Sequence, residues 1–256
     1  MRRSPARHTD RTITVEGGHH TVAAMGIDGS RHGWFYCFLD GGRFDCGLAT
    51  RLESLLPRMD ANTCTLVDIP IGLPERNTGP RACDTAARRM LSPGRTASVF
   101  PVPCRQAVYA DCYEEASRIN RSVLGRSLSR QSWAIVPKIR ETDELLERHP
   151  GIRGRMRESH PELCFRALSG QPMRTGKRTP DGVHERLAVL ATIVPDAPAY
   201  FAAAARHHTR ASVRDDIIDA LVLAICARHP AGLRSLPSEP LRDAHGLPMA
   251  IAYPGA

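Results

Sequence analysis

The stretch Arg214-Asp215-Asp216-Ile217-Ile218-Asp219-Ala220-Leu221-Val222-Leu223-Ala224-Ile225-Cys226-Ala227 constrains the fold more than any other part of the chain. It is an amphipathic helix that opens with a cluster of acids. Ile217, Leu221, Ala224 and Ile225 recur at helical spacing and require a core to cover them. Asp216 and Asp219 are three residues apart and project from one face. Acids at a helix start also complement the macrodipole, which accounts for Asp215 by itself. Three acids together repel beyond what capping needs, and a divalent ion would relieve them. The expectation is that other carboxylates reach the same point from elsewhere in the chain.

Two candidates stand at the ends of apolar strands. Residues 21–28 form a buried strand closing on Asp28; a turn at 29–33, a strand over 34–39, the Gly41-Gly42 hairpin and a strand over 43–48 follow. Thr50 is expected to cap a short helix over 51–56. Residues 64–70 are a fourth strand carrying Asp68 where the apolar run stops, and Pro70 forbids a regular continuation. An acid inside an apolar strand is costly unless paired or metal-bound, and here there are two.

The remainder divides into a basic tail over 1–20, expected to be disordered, and a domain over 21–256 with a helical insertion at about 76–150. Helices are expected over 81–91, 106–124 and 139–148 within the insertion, and over 180–194 and 197–207 beyond it. Residues 158–168 are expected to be a strand running into a turn, and 246–253 a terminal strand. Packing explains Phe100, Trp133 and Ile139, but not Arg81, Arg88, Gln131 and Lys138, which are candidates for a groove that holds a phosphate. His160 and Glu162 are candidates for the same site.

Composition narrows the class. There is no run of about eighteen apolar residues and no apolar signal core after Met1, so no membrane span is expected and the cytoplasm is the expected compartment. The eight cysteines form no Cys-x-x-Cys pair, which suits free thiols rather than zinc. A formal net charge of +8, carried mainly by arginine, favours a polyanionic partner such as DNA or RNA. Genomic base composition also enriches arginine.

Asp28, Asp68, Asp216 and Asp219 supply enough oxygen charge for one or two Mg²⁺ or Mn²⁺ ions, the requirement for metal-assisted phosphodiester hydrolysis. The element order resembles the RNase H-like fold: a mixed α/β sheet of three antiparallel strands and then parallel ones, flanked by helices. Asp216-Ile217-Ile218-Asp219-Ala220-Leu221 resembles the terminal helix of RuvC-type resolvases. More closely, seven motifs in order are similar to the family catalogued as domain of unknown function 429, predicted nucleases of that fold. They are Gly26-Ile27-Asp28-Gly29-Ser30, Val67-Asp68-Ile69-Pro70-Ile71-Gly72-Leu73, Arg81-x-x-Asp84-x-x-Ala87-Arg88, Ser98-Val99-Phe100-Pro101, Pro137-Lys138-Ile139, Glu158-x-His160-Pro161-Glu162 and Gly246-Leu247-Pro248-Met249.

The resemblance implies a metal-dependent nuclease with Asp28, Asp68, Asp216 and Asp219 as ligands, and Glu162 or Asp215 as an additional one. RuvC-type enzymes usually carry Glu where this chain has Asp68, which draws that ligand back by about one methylene. Two other classes share the core: a non-catalytic nucleic-acid or protein-binding module, and an actin-like phosphotransferase. The latter normally has a late Gly-rich phosphate loop, which this chain lacks.

Overall fold

The computed structural model describes residues 13–14, 22–208 and 211–255. Of the expected basic tail, only Ile13–Thr14 falls among them, as a two-residue edge strand, β1; the rest lies outside the described residues. The strands β2 (Ala23–Ser30), β3 (Gly33–Asp40) and β4 (Arg43–Ala49) form an antiparallel meander, with β1 on its outer edge. β5 (Thr63–Asp68) then runs parallel to β2, and β6 (Met156–Glu158) parallel to β5. The spatial order is β1-β4-β3-β2-β5-β6.

The two-residue period of the strands sorts their side chains. Met25, Ile27 and Val67 face one layer, with Val136, Ile139, Leu145 and Leu146 of the insertion. Ala24, Cys64 and Leu66 face the other, with Ile217, Leu221 and Ala224. Asp28 and Asp68 continue this second parity, so the helix carrying Ile217 lies on their side of the sheet.

That helix is α8 (Ala211–Ala227), packed among α5 (Pro161–Ser169), α6 (Pro180–Ala191) and α7 (Ala197–His207). Its apolar residues from Ile217 to Ala227 are at most 5% exposed, so the acidic face is narrower than an amphipathic surface helix would have. Gly26 permits the close approach. A Cβ there would stand 2.0 Å from the Ala220 carbonyl oxygen and 2.3 Å from the Ala224 nitrogen, so the helix backbone rests on the strand backbone.

The insertion holds α1 (Ala82–Met90), α2 (Arg105–Val108), α3 (Tyr113–Leu124) and α4 (Arg130–Arg148). A second, two-stranded sheet joins β7 (Leu233–Leu236) to β8 (Ile251–Pro254). Among the described residues no helix is long and apolar enough to cross a membrane. All eight cysteines are free thiols.

Several local expectations need correction. The segment over 51–56 is a 3-10 helix, Leu52–Arg58, whose first amide donates to Glu141 at 2.6 Å rather than to a Thr50 cap. The single helix expected over 106–124 breaks between α2 and α3, where the Arg140 guanidinium donates to the Val108 and Ala110 carbonyls. α4 begins nine residues before the expected start at 139, because Ser129 caps it by accepting from the Ser132 amide, and it runs through the exposed Pro137. Residues 158–168 are mostly helix: Pro161 occupies the first position of α5, where its missing N–H costs nothing. The terminal strand is Ile251–Pro254 alone, and its partner β7 was not expected from sequence.

Candidate active site

Parallel pairing of β2 and β5 places Asp28 directly opposite Asp68. The second and third turns of α8 bring Asp216 and Asp219 against them. Asp28 and Asp219 are 8% and 1% exposed, while Asp68 and Asp216 are half-buried. The expected four carboxylates therefore share one site.

Burial and neighbouring charges raise the carboxyls of Asp28, Asp68 and Asp216. Burial, followed by Asp219, Asp68 and Asp216, pushes the Asp28 carboxyl well above the usual range, with Lys177 pulling the other way. Burial also lifts Asp216, which the Ser30 hydroxyl and a hydrogen bond with Asp28 partly offset. Asp68 is pushed up to about 6, chiefly by burial; His160 and Lys177 pull it down, whereas Asp219 and Glu162 push it up.

Lys177, in the loop between α5 and α6, ion-pairs with Asp219 at the centre of the cluster. Burial disfavours its charge, but Asp219 and Asp28 outweigh burial and hold the ammonium above its usual range. Lys177 stands in a polar stretch of sequence, Arg174-Thr175-Gly176-Lys177-Arg178. Nothing local reveals that the loop folds back 42 residues to reach Asp219.

The other candidates separate. Glu162, in the first turn of α5, sits close enough to act on Asp68; Arg186 donates to Oε1 at 2.6 Å, while the buried Oε2 has no hydrogen bond and faces Arg95 Nε at 3.9 Å. His160 lies next to Asp68, with Nε2 3.3 Å from the Ser98 carbonyl and Nδ1 without a partner. Asp215 turns to Arg178, 3.0 Å away; because α8 begins at Ala211, Asp215 lies beyond the first turn and does not serve as the helix-start acid expected from sequence.

Of the four polar residues expected to line a groove, only Lys138 adjoins the acids. Its ammonium lies 4.3 Å from the centre of the Trp34 ring, and its pKa is lowered by burial against the pull of Glu141 and Asp28. Arg81 is 1% exposed and committed to Glu158 at 2.6 Å and Asp84 at 3.4 Å, an internal strut that no substrate phosphate reaches. Arg88 is half-buried and donates to the Val99 carbonyl. Gln131 is exposed at the start of α4.

The donor set is all oxygen, which suits Mg²⁺ or Mn²⁺, and Asp219 Oδ1 is a buried oxygen with no hydrogen-bond partner. With the side chains as they stand, no three His, Cys, Asp or Glu among the described residues are grouped to hold a metal ion. Positive charge at the centre comes instead from Lys177. A cavity of about 150 Å³ opens beside Asp28 and Asp68 and continues under the insertion to Asp84, Phe100 and His160.

A family model described as "Protein of unknown function (DUF429)" matches residues 26–242. No curated protein and no solved structure matches the chain.

Proposed function

We propose that this chain, which belongs to the DUF429 family, is a metal-dependent nuclease of RNase H-like fold that hydrolyses phosphodiester bonds in DNA or RNA. The observation that carries this reading is the register pairing of Asp28 with Asp68, opposite Asp216 and Asp219 on a helix seated against β2. Buried acids arranged to oppose one another destabilise the fold, and such an arrangement is expected where chemistry needs it. The strand order supports the fold assignment, with three antiparallel strands followed by two parallel ones and a late helix crossing the central strand.

Asp28, Asp68, Asp216 and Asp219 would hold the cation, with Glu162 within reach of the same site through Asp68. A bound divalent ion would make a hydroxide-like nucleophile available near neutral pH and offset charge on the departing oxygen. A bound cation would hold Asp68, raised to about 6 without it, in its ionised form. Asp219 can ligate through its unpartnered Oδ1 while Oδ2 keeps Lys177, whose ammonium would then stand beside the cation site to face a phosphate oxygen. Lys138 adds a second positive charge on the Trp34 side. The net charge of +8 suits a polyanion approaching an acidic centre.

A second reading has one observation in its favour. Lys177 already neutralises Asp219, as a permanent counter-ion would in a module that binds without turnover. The deciding experiment incubates the protein with Mg²⁺ or Mn²⁺ and single-stranded, duplex and branched DNA and RNA. Cleavage that disappears in chelator and in Asp28→Asn supports the nuclease. Binding without cleavage under every condition supports the module.

A further inference from the structure

We propose that the cavity beside Asp28 and Asp68 seats one guanine base of the nucleic acid, with Asp84 reading its N–H edge and Phe100 covering its face. The inference rests on the nuclease reading for the reason a base arrives there, and it adds a substrate preference to that reading.

Size and shape come first. A cavity of about 150 Å³ holds the equivalent of about five waters of liquid volume, enough for one ring system and too little for a larger ligand. Its walls are the half-buried Phe100, Pro70 and Ile135 with the buried Val102, an apolar slot against which a heteroaromatic ring can lie. The strand-end acids form one side of the cavity, so a base inside it would belong to a nucleotide at or next to the phosphate under attack.

The polar groups then choose the base. Asp84 lines the cavity and is 3% exposed, yet its partners are distant: Val102 N at 3.4 Å, Arg81 Nε at 3.4 Å and Cys83 Sγ at 3.6 Å. A buried carboxylate at such distances retains unused acceptor capacity. His160 also lines the cavity, with Nε2 3.3 Å from the Ser98 carbonyl and Nδ1 without a hydrogen-bond partner.

A donor-rich edge is therefore required. Guanine offers a ring N–H beside an amino group, a pair that one carboxylate accepts together. Adenine and cytosine present an amino group next to an acceptor nitrogen, and uracil and thymine flank their N–H with carbonyls that repel a carboxylate. Metal occupancy is a poorer match, because Asp84 and Glu158 already share the Arg81 guanidinium.

Binding of guanosine, adenosine, cytidine and uridine to the full chain in chelator, measured by calorimetry or ligand-observed NMR, tests the site apart from catalysis. Guanosine is expected to bind best, with Phe100→Ala at least tenfold weaker and Asp84→Asn losing the preference for guanosine. The melting temperature of each variant verifies its fold, and Phe100→Ala carries the test if Asp84→Asn does not fold. Equal or absent binding of the four nucleosides, or unchanged binding in folded Phe100→Ala, overturns the site. A Mn²⁺-dependent cleavage assay on oligonucleotides with and without guanine separates the two readings. Guanosine binding without any cleavage retains the pocket and removes the nuclease. Cleavage indifferent to guanine, together with no nucleoside binding, does the reverse.

Discussion

Two groups of buried acids lie in this molecule, and they are built on opposite principles. Around Arg105, the carboxylates of Glu75, Asp143 and Asp243 surround one guanidinium. Asp243 also accepts the amides of Leu73, His245 and Leu247 at 3.0, 2.9 and 2.9 Å, and Tyr109 donates to Asp143 at 2.8 Å. These acids join the insertion, the loop after β5 and the segment before β8. Around Asp28, four carboxylates face the Lys177 ammonium, with Lys138 on the Trp34 side, and Asp219 retains an oxygen with no hydrogen bond. The first group is tied by ion pairs to arginine and by backbone and tyrosine donors, and although Asp143 Oδ1 is a buried oxygen without a hydrogen bond, the group fastens the fold. The second is short of positive charge, so the fold holds it against its own repulsion.

Removing one charge should therefore have opposite consequences in the two places: losing the arginine loosens the first group, whereas losing one carboxylate relieves the second. The largest effect is expected at Arg105→Met, which leaves buried carboxylates unpaired and should cost about 3–5 kcal/mol by urea denaturation. A loss below about 1 kcal/mol would erase the contrast by showing that the Arg105 group is also loosely satisfied.

Next in size is the pH dependence of the acidic centre. The folded state holds a proton on Asp68 more tightly than the unfolded chain does, about 6 against 3.8. Its contribution to stability is therefore greatest at low pH and is lost as pH climbs from near 3.8 through about 6. Without metal, the difference in unfolding free energy between Asp68→Asn and wild type should shift in favour of the variant by roughly 2 kcal/mol between pH 4 and pH 7. A pH-independent difference would mean that Asp68 is not raised.

A smaller effect is expected at Asp216→Asn. In chelator this variant should be more stable than wild type by about 1 kcal/mol, because one repelling charge is gone. It should also lose the rise in melting temperature that Mn²⁺ gives wild type. Lys177→Met sharpens the comparison further: freeing Asp219 should increase the melting shift at a given Mn²⁺ concentration, whereas a purely structural Lys177 would leave that shift unchanged.

The centre of the site was legible because its signals are local. Asp28 and Asp68 interrupt apolar strands, and Asp216 and Asp219 have helical spacing at the head of an apolar run. Each anomaly is visible within about ten residues, and the parity of the strands then forces the acids onto one side of the sheet. The partners were not legible, because whether an arginine faces solvent, substrate or a carboxylate depends on distant chain. Arg81 has the composition of a phosphate contact, yet Glu158, 77 residues away, takes it into the interior. Lys177 has the composition of a solvated loop and reaches the centre. The start of α5 was misread for a different reason: His160-Pro161 is a turn signal and equally a helix start, and only the tertiary context chooses.

Gly26 gives the site its dimensional tolerance. Most helices stand off a sheet on a cushion of side chains, and their height varies with whichever rotamers fill the gap. Here α8 bottoms out on β2, with no room for even a methyl group between Ala220 and the strand. The spacing between the helix acids and Asp28, two residues along the same strand, is thus gauged by backbone against backbone, a stop that thermal motion can lift but not compress. An alanine at this position would act as a shim, raising the helix by its thickness and widening the gap between the two carboxylate rows, while the same acids remained in the sequence.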